Sequence, residues 1–263
     1  MIRPYSSVDK TTIATFLAED IFQNVYLYID SQIYGFSCDY VHTDILENSA
    51  GIVAVLYRYY DSLQIFTCCQ LSDTDLEQIS RYIVSNRFSM ISGSKECIED
   101  LAKLVGLGYK YANGFVLVND SCSVQLSGIT EFATTAECSE IAELICTDSE
   151  IGGHYNANDL AKQLEERMLH RGCRNVVLKK DGKIVSHAAT YAESDRIAVI
   201  GGLITDDSCR GCGLARKVLA DLTFAVKEEG KAPVLFVFKE GLLRWYEKYG
   251  WKIASECGKL EMI

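Results

Sequence analysis

The segment from Arg196 to Phe238 limits the possible folds more than any other. It holds a strand-like run, RIAVIGGLIT, a loop with two glycines, TDDSCRGCG, a helix-spaced run from about Gly213, and the apolar VLFVF of Val234–Phe238. Leu214, Ala215, Val218, Leu219, Leu222 and Val226 fall on one face at helical spacing, and Gly230 supplies the stop. VLFVF is apolar throughout and reads as a buried central strand. A strand that enters a helix through glycines leaves several backbone N–H groups unpaired at the positive end of the helix dipole, where an anion is favoured. Small residues at Gly211 and Gly213 let a diphosphate approach the main chain, and Arg210, Arg216 and Lys217 add charge. A plain strand-to-helix connection is the alternative.

The same loop carries Cys209 and Cys212 as a CxxC pair at a helix start, the spacing of a dithiol redox site or half a zinc site. A zinc site needs a second pair. Downstream, the next Cys or His is Cys257; upstream, the nearest are His187 and Cys173, which do not form a matching pair. No metal is expected. A dithiol site fits the helix start but leaves the glycines and the preceding strand unexplained.

The rest of the chain reads as alternating strands and helices. Before a polar stretch at Asn119–Gly128, GIVAVLYRYYD, LQIFTCC, SMISGS and YKYANGFVLV read as strands, with TDLEQISRYIVSNRF and CIEDLAKLVGLG as helices. After it come two helices, TTAECSEIAELICTD and NANDLAKQLEERMLHRG, and a hairpin, RNVVLKKDGKIVSHAATYA, turning at Asp181-Gly182. Beyond VLFVF, LLRWYEKYG is a short helix before a last strand. A cut near Ser123 gives two domains, 1–123 and 124–263. KLVGLGYK lies over WYEKYGWK, with Gly108-Tyr109-Lys110 matching Gly250-Trp251-Lys252 at a constant offset of 142. Duplication and the chance likeness of a common turn are both open.

Composition narrows the class. With 48% hydrophobic and 24% charged residues the chain is globular, and no apolar run approaches the about 18 residues of a membrane span. The start, MIRPYSSVDK, has no apolar signal-peptide core, so a cytoplasmic location is expected. A net charge of −10 without a basic run argues against nucleic acid. Eleven cysteines at irregular spacing read as reduced thiols.

Arg210-Gly211-Cys212-Gly213-Leu214-Ala215 fills the Q/R-x-x-G-x-G/A signature of the GNAT superfamily of acyl-CoA-dependent N-acyltransferases. IGGLITDDSCRGCGLA is similar to the IGGVYT…RGxGYA pattern of one GNAT branch, and WYEKYGWK resembles the superfamily's Y-E-K-x-G-F segment. The resemblance implies an α/β (α+β) fold of two GNAT-like domains, each a mixed twisted sheet flanked by helices. It implies that Arg210, Gly211, Cys212, Gly213, Leu214 and Ala215 bind the pyrophosphate of acetyl-CoA. Main-chain groups of Leu203, Ile204 and Thr205 then pair with the pantetheine arm like an added strand. The CxxC spacing becomes incidental.

The reaction so implied is attack of a primary amine on the thioester. Tyr246 stands at the superfamily's tyrosine, a phenol with a pKa of about 10 that can protonate the departing thiolate. Packing with Trp245, Tyr249 and Trp251 is the alternative role. The strand reads Ile197-Ala198-Val199-Ile200 where many members hold a glutamate, so the base is Glu193, His187 or water. His187 shares a face with Val185, Ala189 and Tyr191 and reads as a core histidine, whereas Glu193 near a strand end reads as solvated. Lys239 replaces a frequent asparagine. The acceptor, a small-molecule or peptide amine, is expected near EIGGHYNAND, where Glu150 or His154 can meet it. A homodimer is the candidate assembly.

The N-terminal half reads as a degenerate copy without cofactor loop, since CCQLSDTDLEQI has Asp73 and Asp75 where a diphosphate would sit, and Leu104 stands at the place of Tyr246. A non-catalytic CoA-binding sensor or interaction protein and a dithiol oxidoreductase are the readings from other classes.

Overall fold

The computed structural model describes residues 1–263 except 50, 122–125, 150 and 154. The chain runs β1 (Ile2–Pro4), α1 (Lys10–Glu19), α2 (Val25–Tyr34), β2 (Ser37–Cys38), β3 (Val41–Asn48), β4 (Gly51–Tyr59), β5 (Ser62–Thr67), α3 (Asp73–Asn86), β6 (Met90–Ser94), α4 (Lys95–Val105) and β7 (Tyr109–Asn119). It continues through β8 (Glu131–Phe132), α5 (Cys138–Cys146), α6 (Ala157–Arg171), β9 (Asn175–Lys180), β10 (Lys183–Glu193), β11 (Ile197–Thr205), α7 (Leu214–Glu228), β12 (Ala232–Val237), α8 (Glu240–Glu247) and β13 (Trp251–Met262). Two compact units result: Met1–Leu117 with Phe236–Ile263, and Val118–Leu235. The cut near Ser123 lies outside the described residues.

In the first unit the strands lie in the order β1-β3-β4-β5-β6-β13-β7, with β2 beside β3. The last strand joins this unit because Cys257–Glu261 of β13 pair antiparallel with Ser94–Met90 of β6. Helices α3 and α4 set Leu76, Ile79, Ile83, Ile98 and Leu101 against Leu56, Leu63 and Ile91. Burying side chains of this size stabilises by about 2 kcal/mol each. The two strands that follow the echoed helices begin at Tyr109 and Trp251, at the same offset as the sequence match. The left-handed glycines of the two turns are Gly106 (φ 80°) and Gly250 (φ 83°), so the backbone match there is looser than the sequence match.

The second unit has strands in the order β12-β11-β10-β9-β8, parallel between β12 and β11 and antiparallel from β11 through β8. Asp181 (φ 52°) and Gly182 (φ 77°) make the β9–β10 turn, both in the left-handed region that such a two-residue turn demands. Helices α5 and α6 pack Ile141, Leu144, Ile145, Leu160 and Leu164 with Val177, Ile184 and Ile204. Helix α7 buries Val218, Leu219, Leu222 and Val226, the face expected from its spacing. Two of its polar side chains, one of them the buried Asp221, hold the segment that precedes β8. Asp221 accepts hydrogen bonds from Ser127 N, Ser127 Oγ and Thr130 Oγ1, and Lys227 Nζ donates to the carbonyls of Asn119 and Ser121.

Candidate active site

The N-terminus of α7 is open. Its cap residue is Gly213, left-handed at φ 73°, and no side chain closes the first turn. Gly211 is left-handed too, at φ 77°, and a Cβ built on either glycine would meet nothing within 4 Å. Arg210, Gly211, Cys212 and Gly213 are exposed, with Leu214 and Ala215 half-buried. The loop therefore presents main chain, not side chains, at the positive end of a 15-residue helix. Helix α3 of the first unit has the opposite ending. Ser72 Oγ accepts from Asp75 N, and Ser72 N donates to the Asp75 carboxylate, so a side chain caps this helix and a carboxylate stands in its first turn.

Arg210 is held on the protein side of the loop. Its Nε donates to the carbonyl of Thr205 at 3.2 Å, and its Nη2 lies 3.2 Å from Asp148 and 2.9 Å from Asp207. Asp148 also accepts from Ile151 N, which ties the turn after α5 to the glycine loop. Arg216 is exposed and Lys217 half-buried. Cys209 is buried and Cys212 exposed, and both are free thiols. Among the described residues no three His, Cys, Asp or Glu are grouped to hold a metal ion.

Strand β11 leads to the loop and is irregular. Its parallel ladder with β12 covers Ile197–Val199 against Ala232–Val234. Beyond that, β11 pairs on its β10 side, with a register shift between His187↔Ile204 and Ala189↔Gly201. The shift is a bulge at Gly202 and Leu203, with Gly202 at φ 60°. Leu203 is half-buried and Ile204 and Thr205 are buried; Thr205 Oγ1 is 2.8 Å from Ser186 Oγ.

The two glycines of IGGLIT are explained by Tyr191. A Cβ on Gly201 would lie 2.6 Å from Tyr191 Cε2, and one on Gly202 would lie 2.7 Å from the Tyr191 hydroxyl. The ring thus occupies the surface where two side chains would otherwise stand. Burial pushes its phenol up to about 12.

Neither side chain considered as a base is available. His187 is fully buried, with Nδ1 2.8 Å from the carbonyl of Gly202 and Nε2 2.8 Å from the Asn175 side-chain amide. With its one proton on Nδ1 the neutral ring donates to the Gly202 carbonyl, and Nε2 accepts from the Asn175 amide once that amide turns its nitrogen toward the ring. Burial pulls the ring down to about 4, so it is neutral, and it supports the bulge from beneath as a core histidine does. Glu193 is not solvated as its sequence position suggested, for its side chain is 5% exposed. Arg174 binds it through Nε and Nη2, Lys231 adds 2.8 Å and Thr190 Oγ1 donates at 2.6 Å. Burial raises the carboxyl, but these donors outweigh it and hold the group below its ordinary range.

Tyr246 lies in the first unit, on α8. Its ring meets Trp245 at 4.9 Å and buried Trp251 at 6.0 Å, both edge-on, so the packing role is real. Its hydroxyl has no hydrogen-bond partner among the described residues, and burial pushes it up to about 12. It is a neutral donor at neutral pH. Lys239 precedes α8 as its exposed cap. Glu150 and His154, expected to meet the acceptor, lie outside the described residues.

A family model, the acetyltransferase (GNAT) domain, matches residues 146–259. That range takes in β11, the glycine loop, α7 and Tyr246. The match spans 114 of the 263 residues and likens this part of the chain to a GNAT acetyltransferase domain. The GNAT family is one of acyl-CoA-dependent transferases. No curated protein matches the chain. Among solved structures, a Drosophila protein is similar at TM-score 0.67 and 8% identity, covering 100% of this chain and 98% of its own. A tandem GNAT protein from the clavulanic acid biosynthesis pathway is similar at 0.59 and 10%, covering 99% and 97%. A GNAT-family acetyltransferase from Colwellia psychrerythraea is similar at 0.58 and 14%, covering 100% of both chains. These likenesses are of fold.

Tyr191, Asn175 and Asp148 were not singled out from the sequence. The doubled glycine on an otherwise apolar strand was the available signal, since it marks a close approach by some bulky neighbour.

Proposed function

We propose that the chain is an N-acetyltransferase that moves the acetyl group of acetyl-CoA to a primary amine by direct attack on the thioester. The observation that carries this reading is the uncapped, glycine-lined start of α7 at the end of a strand whose ladder to β12 stops after Val199. Free N–H groups there suit the diphosphate, and the N–H and C=O groups of Leu203, Ile204 and Thr205 suit the amides of the arm. Acetyl-CoA supplies an activated carbonyl and a thiolate leaving group.

The side chains then have limited tasks. Tyr246 donates its hydroxyl proton to the sulfur as the C–S bond breaks. The sequence match at WYEKYGWK supports that role, and the neutral state of its phenol is consistent with it. With His187 and Glu193 engaged elsewhere, the proton lost by the amine as the C–N bond forms goes to water. Residues 1–123 act as a degenerate copy that does not bind the cofactor, a reading supported by the Ser72–Asp75 closure of α3. A cytoplasmic location and a soluble small-molecule or peptide acceptor accompany this reading. Thiol release from acetyl-CoA across a panel of primary amines tests it. Amine-dependent release is expected, and CoA binding without release for any amine would favour a non-catalytic sensor.

A further inference from the structure

The direction of the cofactor along β11 fixes where chemistry would occur. With the diphosphate at Arg210–Ala215 and the arm on Thr205, Ile204 and Leu203, the thioester end reaches Gly202 and Gly201. Those are the residues covered by Tyr191, whose hydroxyl stands over the bulge. From α6, the Arg167 guanidinium lies 5.2 Å from the centroid of the same ring, at cation–π distance.

Arg167 differs from its neighbours in what holds it. Arg171 pairs with Glu166, Arg174 with Glu193 and Glu229, and Arg210 with Asp148 and Asp207. Arg167 is half-buried and has no carboxylate partner among the described residues; the π face of Tyr191 is what it meets. The Tyr191 hydroxyl likewise has no hydrogen-bond partner among the described residues. A partly buried guanidinium costs desolvation that an ion pair ordinarily offsets. Here a planar fork of N–H donors lies over the ring of a phenol that can donate as well.

The geometry points to Arg167 and Tyr191 as the recognition pair for a carboxylate on the acceptor, so that the substrate class is an amine that also bears a carboxylate, such as an amino acid. A carboxylate offers two coplanar oxygens, which match the guanidinium fork and leave lone pairs for the phenol. In a chain of net charge −10 an anionic acceptor needs such a fixed cation to enter. This inference rests on the proposed transfer from acetyl-CoA at β11.

The test uses matched pairs with the full chain and acetyl-CoA: lysine against cadaverine, phenylalanine against phenethylamine, and phosphoethanolamine against ethanolamine. Thiol release is the readout, and calorimetric binding of each amine to the protein–CoA complex is a second one. In the first two pairs the carboxylated member should be preferred at least tenfold. Arg167→Met should erase that preference through KM while acetyl-CoA affinity holds, Arg167→Lys should restore part of it, and Tyr191→Phe should weaken it less. Equal use of both members by the wild type, a preference unchanged in Arg167→Met, or a preference for phosphoethanolamine over the carboxylates would overturn the assignment. Absence of CoA binding to the wild type would instead refute the transferase reading on which it rests.

Discussion

Replacing Gly202 with alanine probes the bulge that joins the cofactor strand to its supports. The backbone there has φ 60°, a region that costs a non-glycine residue about 1–2 kcal/mol. The added Cβ would also lie 2.7 Å from the Tyr191 hydroxyl and 3.1 Å from His187 Cε1, and overpacking of this kind costs about 1–3 kcal/mol. Gly202→Ala should therefore lose about 2–5 kcal/mol, a large share of the roughly 5–15 kcal/mol that ordinarily keeps a domain folded. Urea unfolding followed by circular dichroism measures the loss. Tyr191→Phe removes the atom in closest conflict, so Gly202→Ala should cost about 1 kcal/mol less when combined with it, while the backbone cost persists. A loss below about 0.5 kcal/mol, or one indifferent to Tyr191→Phe, would refute this account of the bulge.

Two further outcomes follow from the buried groups. His187 is held neutral, down at about 4 against an ordinary 6.5, so its contribution is complete above pH 6.5 and is lost as pH falls toward 4. The full difference is about 3 kcal/mol. Unfolding midpoints at pH 7.5 and 4.5 should converge between wild type and His187→Gln on acidification, and parallel pH profiles would contradict the assignment. Tyr246→Phe should lower turnover tenfold or more with little change in CoA affinity, because the hydroxyl has no hydrogen-bond partner to lose among the described residues. Steady-state kinetics with calorimetry separates the two, and unchanged turnover would leave Tyr246 a packing residue beside Trp245 and Trp251.

Local periodicity made much of the fold legible. Asp181-Gly182 announced its hairpin, the spacing from Leu214 to Val226 gave the buried face of α7, and Gly230 marked its end at φ 74°. The glycine loop was readable because main-chain exposure is written as glycine, and Gly211 and Gly213 are both exposed and left-handed. Tyr191 was hidden for a different reason. Its seat on Gly201 and Gly202 depends on two register shifts between β10 and β11, and such shifts move side chains without leaving a period in the sequence. Glu193 looked like a strand-end carboxylate because its partners, Arg174 and Lys231, are 19 and 38 residues away. The placement of β13 against β6 was equally non-local, since a strand's own residues do not name its neighbour.

On the proposed function, the open start of α7 binds the diphosphate of CoA. Titration of CoA into the purified chain by calorimetry tests it most directly, alongside Gly213→Glu, which sets a carboxylate at the mouth of the loop. One CoA per chain, with heat abolished by Gly213→Glu, is the predicted result. Binding that survives Gly213→Glu, or two CoA per chain, would contradict it.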